Sequence, residues 1–231
     1  MSDFKFNAVV LEPKQKATAT VIWLHGLGAN GHDFEPIVPM FPEEVKNHVR
    51  FVFPHAPERP VSINMNMVMP AWYDISDPNL GVKQDEEGIR ASEKLLHHYI
   101  AHEVAQGIPE SRIILAGFSQ GGAIALQTGL RYPKALAGIM ALSTYVPLMA
   151  TVEAEREQAN AETEIFMGHG QHDPVVAYSL GQQSQHILEA LNYKVVWHGY
   201  MMEHNVIPNE INDIGRWLRK KLPALQVDEC E

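Results

Sequence analysis

The feature that most constrains this chain is an unbroken alternation of short apolar runs with amphipathic, helix-patterned segments. Apolar runs are read at Ala8–Leu11, Thr20–Leu24, Arg50–Phe53, Ile113–Leu115, Leu136–Leu142, Glu164–Met167 and Tyr193–Trp197. Helical patterning is read over Asp85–Val104, Ala123–Arg131, Tyr178–Leu191 and Ile207–Leu222. Compact runs such as TVIWL suit strands that are buried on both faces. Strands that alternate with helices predict an α/β chain with a mainly parallel central sheet and helices on both faces. The alternation never breaks, so residues 1–231 are expected to form one domain. Ala56–Pro78, rich in prolines and methionines, is expected to be a long irregular loop. Thr151–Glu164 is expected to be a solvated surface helix.

Composition narrows the function. Eighteen basic residues against 28 acidic ones give a net charge of −10. Sequence-independent nucleic-acid binding needs a basic footprint, so it is not expected. The single cysteine, Cys230, excludes an intramolecular disulfide and reads as an incidental tail thiol. Met1–Lys16 shows no basic patch followed by an apolar run, and no apolar stretch approaches the roughly 20 residues of a membrane span. A cytoplasmic protein without integral membrane association is the expectation.

The chemistry is signalled by Gly117-Phe118-Ser119-Gln120-Gly121, which matches G-x-S-x-G between a strand and a helix. A serine on so tight a turn needs small neighbours, and Gly117, Gly121 and Gly122 provide them. The turn would lift the Ser119 hydroxyl over the carboxyl edge of the sheet, at a helix N-terminus where amides can face developing negative charge. A serine hydroxyl needs a base, and the base needs an orienting acid. In hydrolases with such an elbow the order is serine, acid, histidine. Asp173 follows a strand and is the aspartate that the order permits. Of the later histidines, His186 falls in a helix, His198 at a strand end, and His169 and His172 in the loop of the acid. His204 lies between the last strand and the last helix and is assigned as the general base.

The loop Leu24-His25-Gly26-Leu27-Gly28 follows an early strand, as the second oxyanion donor requires. The amides of Leu27 and Gln120 are nominated as donors. Gly26, Gly28 and Gly31 also fit G-x-G-x-x-G, but no ribose-binding acid follows at the expected distance, so no nucleotide cofactor is expected. His97, His98 and His102 on one helix, and His169, His172 and Asp173 in one loop, lack an H-E-x-x-H or a cysteine cluster. The first group reads as helix surface, and no metal is expected.

L-H-G-L-G, P-H-A-P, N-M-N-M-x-M-P-A-W-Y-D-I, G-F-S-Q-G-G, A-L-S-T-Y-V-P-L and H-G-Q-H-D-P-V-V occur in that order from Leu24 to Val176. With these motifs the chain resembles the carboxylesterase, phospholipase and acyl-protein thioesterase family of α/β-hydrolases. The resemblance implies an α/β-hydrolase fold without a large cap domain, Ser119, Asp173 and His204 as the triad, and Leu27 and Gln120 as oxyanion donors. It also implies an apolar acyl groove involving Met65, Trp72, Ile75, Tyr145, Leu148, Val175 and Val176. The family usually carries Gly-Met-x-His-Ser before its last helix, where this chain has Tyr200-Met201-Met202-Glu203-His204-Asn205. The expected activity is a serine carboxylesterase for short- to medium-chain acyl esters, with acyl-protein thioesterase or lysophospholipase as the alternative. A silent binding module would be expected to have lost a triad member, and none is missing. Substrates would be acyl esters or thioesters, of lipid or acylated protein, and exposed apolar loop residues suggest a homodimer.

Overall fold

A computed structural model describes residues 4–225; Cys230 lies outside them. Seven strands form the central sheet: β1 (Ala8–Leu11), β2 (Ala19–Leu24), β3 (Val49–Pro54), β6 (Ile113–Phe118), β7 (Gly138–Leu142), β8 (Ile165–Gly170) and β9 (Val195–Tyr200). Their order is β1-β3-β2-β6-β7-β8-β9, and only β1 runs antiparallel to its neighbour. Two further strands, β4 (Glu58–Val61) and β5 (Met67–Pro70), form a separate antiparallel hairpin.

Period-two alternation divides the core in two. Ile22, Leu24, Leu115, Ile139 and Met167 face a cluster with Ile89 and Ile100 of α2 (Glu86–Ala105), Ile124 of α3 (Gln120–Arg131) and Leu188 of α5 (Tyr178–Ala190). Val21, Trp23, Ile114, Met140 and Phe166 face the opposite cluster, with Val45 of α1 (Glu43–Lys46) and Ile214 and Trp217 of α6 (Pro208–Lys221). This is the expected mainly parallel sheet with helices on both faces. Among the described residues, the strand-to-helix excursions hold one hairpin and helical segments of one or two turns, including α4 (Val152–Glu155), and none builds a cap domain.

Several local expectations are corrected. The stretch Ala56–Pro78 contains the β4–β5 hairpin. Its connection passes through Met65 and Asn66 at φ 55° and 59°, without the glycine that would have marked a turn. Thr151–Glu164 is not a solvated helix. It makes one α-turn and a 3-10 turn, with Val152 and Asn160 buried. Glu155 pairs there with Arg90 and Arg131 at 2.7 and 2.6 Å. β8 runs on to Gly170, so His169 is a buried strand residue and not part of the acid loop. β9 extends to Tyr200, which puts His198 inside the strand. The helix-surface reading of the α2 histidines also changes. Phe4 and Phe6 of the N-terminal segment pack on His98 and His102, and the His97 ring meets Tyr132 edge-on.

One buried group is out of keeping with the core. Glu210, in the first turn of α6, is fully enclosed, and neither carboxyl oxygen has a hydrogen-bond partner among the described residues. It sits against Gly168 of β8, with Tyr200 and Asp213 nearby. Burial, and secondarily the Asp213 charge, push its carboxyl up from about 4.5 to about 8. The native state therefore keeps a proton that the unfolded chain releases over that interval. Its contribution to stability is complete below about pH 4.5, declines as pH rises, and levels off above about 8. Glu210→Gln should remove this decline. The variant should gain on the wild-type protein by a few kcal/mol as denaturant melts are taken from about pH 5 to about pH 9. A stability difference independent of pH would show that Glu210 is not the titrating group.

Candidate active site

The carboxyl edge of the sheet gathers the predicted residues. β6 ends at Phe118, and Ser119 turns directly into α3 at φ 54° and ψ −121°. Such a backbone costs about 1–3 kcal/mol and persists only when its surroundings hold it. Here the Ser119 amide donates to Leu142 O at 2.8 Å, and the Thr144 hydroxyl donates to Ser119 O at 2.6 Å. The neighbouring glycines are required by contact. A Cβ on Gly117 would lie 2.3 Å from the Gly121 backbone, and one on Gly121 would lie 2.5 Å from the His25 carbonyl oxygen. α3 starts at Gln120, three residues before the expected Ala123, because the elbow itself supplies its first turn.

Asp173 follows β8, and its side chain is fully buried. Its Oδ1 accepts the amides of Val175 and Val176, both at 2.8 Å, and its Oδ2 lies 2.6 Å from His204 Nδ1. Burial alone would raise this carboxyl. The His204 hydrogen bond and the two amides outweigh it and hold Asp173 below the ordinary carboxylate range. With Nδ1–H donating to Asp173, the other ring nitrogen of His204 is an acceptor, and it lies 2.9 Å from Ser119 Oγ. Phe118 packs on the His204 ring at 4.7 Å between centroids. The structure thus brings Ser119, His204 and Asp173 into one hydrogen-bonded row.

The loop carrying His204, residues 201–205, turns without a glycine. Among the described residues at positive φ, none lies between 200 and 205. The loop is tied to the end of β8, where Gln171 N–H donates to Tyr200 O and His172 N–H to Met202 O. Beside it, Pro174, Met201, Glu203 and Ile207 line a recess of about 390 Å³ that reaches His204.

The loop nominated for the second oxyanion donor follows β2. Gly28 adopts φ 75° and donates to Pro70 O, and Ala29 donates to Gly26 O. Leu27 N–H has no backbone acceptor among the described turn and loop bonds. Gln120 N–H, as the first amide of α3, has no partner within the helix. Gly31 cannot serve a phosphate, since its nearest space is filled by Phe53 O, and its amide is taken by His55. Among the described residues, no group of three or more His, Cys, Asp or Glu could hold a metal ion.

The groove residues divide. Asp173 and Val175 line a cavity of about 460 Å³ with Leu80, Leu180 and Gln183. Leu180 and Gln183 also border a second cavity of about 670 Å³, where Tyr145 and Leu148 meet Val82, Met149 and Ile187. Ile75 borders a small recess that reaches Tyr145. Three of the predicted groove residues lie apart from these cavities. Met65 is 86% exposed in the hairpin connection and lines none of these cavities. Trp72 is only 1% exposed, lies beneath the loop after β2, and donates its indole N–H to His25 O. Val176 is buried, and its backbone is spent on Asp173 and His169. Leu80, Leu180, Gln183 and Ile187 escaped the sequence reading. Leu180 and Ile187 recur at i and i+7, a spacing that reads equally as core.

The profile of the phospholipase/carboxylesterase family matches residues 6–222. The chain belongs to this family. Acyl-protein thioesterase 1 of Gibberella zeae is 39% identical over 232 residues, covering 96% of this chain and 99% of that protein. Among solved structures, Arabidopsis thaliana SOBER1 superposes with a TM-score of 0.83 at 31% identity, covering 88% of this chain and 99% of that one. Zea mays acyl-protein thioesterase 2 superposes with a TM-score of 0.81 at 28% identity, covering 94% of this chain and all of that one. As a member of this family the chain has the α/β-hydrolase fold and is a serine hydrolase of carboxylic (thio)ester bonds. Among the described residues, no helix is long and apolar enough to cross a membrane.

Proposed function

We propose that this hydrolase is an acyl-protein thioesterase, with Ser119 as nucleophile, His204 as general base and acid, and Asp173 as the orienting acid. The observation that carries the reading is the pair of cavities that share Leu180 and Gln183. They form an open trough of mixed lining, with Leu80, Val82, Tyr145, Leu148, Leu180 and Ile187 as its apolar part, that starts at Asp173 and is roomier than a short acyl group needs. The acyl-protein thioesterase relatives support this alternative over a short-chain carboxylesterase.

In the first step Ser119 Oγ attacks the thioester carbonyl carbon while His204 Nε2 takes the hydroxyl proton. The Leu27 and Gln120 amides receive the oxyanion, each worth on the order of 3 kcal/mol. Collapse breaks the C–S bond, and His204 returns the proton to the departing sulfur. Water then attacks the acyl-enzyme and gives its proton to His204. The acid leaves, and Ser119 recovers its hydrogen. Asp173 stays ionised and fixes the tautomer throughout.

The test is a chain-length series of S-acyl cysteine peptides beside the matching O-acyl serine peptides. Each methylene buried in the trough should raise kcat/KM about fourfold, the equivalent of about 0.8 kcal/mol. The rise should continue into long chains, with thioesters favoured. A maximum at acetyl or butyryl with no thioester preference would return the assignment to a short-chain carboxylesterase, and preference for a lysophospholipid would make it a lysophospholipase. The proposed homodimer rests on the exposed Met65, Met67 and Val68 of the hairpin. Sedimentation that gives only monomer at assay concentration would remove it.

A further inference from the structure

We infer that the side chain of Gln120 is a positioning group that locks the two halves of the oxyanion site together, acting through Trp72 and His25. The inference rests on the assignment of Ser119 as nucleophile. The two donor amides lie on separate elements, Gln120 at the head of α3 and Leu27 in the loop after β2. Oxyanion donors work only when both sit about 2.7–3.1 Å from the developing charge, so the elements need a fixed register. The Gly26-Leu27-Gly28 backbone has little stiffness of its own.

A chain of buried hydrogen bonds supplies that register. The Gln120 carboxamide is 3% exposed; its Oε1 accepts Trp72 N–H at 2.7 Å, and its Nε2 donates to Tyr73 O at 2.7 Å. One partner can only donate and the other can only accept, so the orientation of the carboxamide is fixed. The Trp72 indole N–H then donates to His25 O at 2.8 Å, and the Ser92 hydroxyl takes up Trp72 O. Ala56 N–H donates to His25 Nε2 at 3.1 Å. His25 Nδ1 therefore carries the ring proton and donates it to Gly26 O at 2.7 Å, one residue before Leu27. Burial, partly opposed by the Gly26 carbonyl, holds the His25 ring at about 4, so the neutral tautomer persists at neutral pH. Gln120 thus belongs to one half of the oxyanion site by its backbone and grips the other half by its side chain.

The test compares Gln120→Leu, Trp72→Phe and the double variant with the wild-type enzyme on an S-acyl peptide. Readouts are kcat, KM, melting temperature and affinity for an alkyl boronic acid, whose tetrahedral adduct with Ser119 places an oxygen at the oxyanion position. Gln120→Leu should lower kcat by on the order of 100-fold, as expected for a donor displaced by about an ångström. KM should hold within about twofold, and boronate affinity should fall in step with kcat/KM. Trp72→Phe keeps an aromatic side chain, though a smaller one, and removes the indole N–H; it should lose about tenfold in kcat. The double variant should lose less than the product of the two, because both act along one chain. Unchanged kcat and boronate affinity, even with a lower melting temperature, would reduce Gln120 to a buried spacer and overturn the inference. If Gln120→Leu does not fold, Trp72→Phe decides by the same readouts. Ser119→Ala run alongside separates the two levels. Wild-type turnover in that variant would remove the nucleophile assignment, whereas an inactive Ser119→Ala beside a fully active Gln120→Leu would remove only the positioning role.

Discussion

Replacing Ser119 with alanine is expected to lower kcat on a long-chain acyl thioester by about a million-fold while leaving the fold intact. The size follows from what the hydroxyl does in the proposed route. It forms the bond to carbon, and its proton is the one His204 handles at 2.9 Å. Without it, only the oxyanion donors and the binding of the chain remain, and these leave a small residual rate over water. The fold should survive because the elbow is held by backbone, not by the hydroxyl. Leu142 O and Thr144 Oγ1 engage the main chain of residue 119, and alanine tolerates φ 54° no worse than serine does. Melting within a degree or two of wild type, no acyl-enzyme by mass spectrometry, and a lost burst would together support the assignment. Activity within tenfold of wild type would mean that turnover uses another nucleophile.

Legibility in the sequence followed the range of the interactions. The elbow is a local object, with strand, G-x-S-x-G and helix in one stretch, so Ser119 could be located from neighbours alone. Asp173 and His204 came from chain order and from the ends of β8 and β9, which apolar runs marked. The hairpin was hidden because β4–β5 pairing is cross-strand, and its turn uses Met65 and Asn66 where a glycine would have been the signal. The groove was read poorly for a different reason. Apolar character does not tell the wall of a groove from the floor beneath it. Trp72, Tyr145 and Val175 look alike in a motif, yet Trp72 is buried under the loop after β2, whereas Val175 is half-exposed beside Asp173. Leu180 and Ile187 reach the trough from α5, far from any motif, and only the packing of that helix over β8 and β9 brings them there. The carboxamide of Gln120 was invisible as a side chain because the motif assigns a role to its backbone alone.

Asp173→Asn is the sharper probe, since it changes one atom and keeps the shape. Oδ1 accepts two backbone amides, from Val175 and Val176, and so demands an oxygen at that position. An asparagine must place its carbonyl there, which leaves its NH2 facing His204 Nδ1, where Oδ2 now lies at 2.6 Å. A donor against Nδ1 forces the imidazole to carry its proton on Nε2. That nitrogen then donates toward Ser119 Oγ and cannot accept its proton, so the general base is lost while every residue stays in place. The expected cost is about 10,000-fold in kcat, with KM nearly unchanged and the melting temperature close to wild type. Asp173→Ala should differ in kind. It abandons the amides of Val175 and Val176 in a buried setting and should lose stability as well as rate. If Asp173→Asn retained more than about a tenth of the wild-type kcat, the acid would be serving only to brace its own loop, and His204 would have to be oriented by another group. His169 is the nearest other titratable side chain, with Nε2 3.6 Å from Asp173 Oδ2, but its Nε2 already engages Val176 O at 2.9 Å. That nitrogen donates there, and the acceptor nitrogen, Nδ1, faces Gly181 instead, so the orienting role has no ready substitute in this pocket.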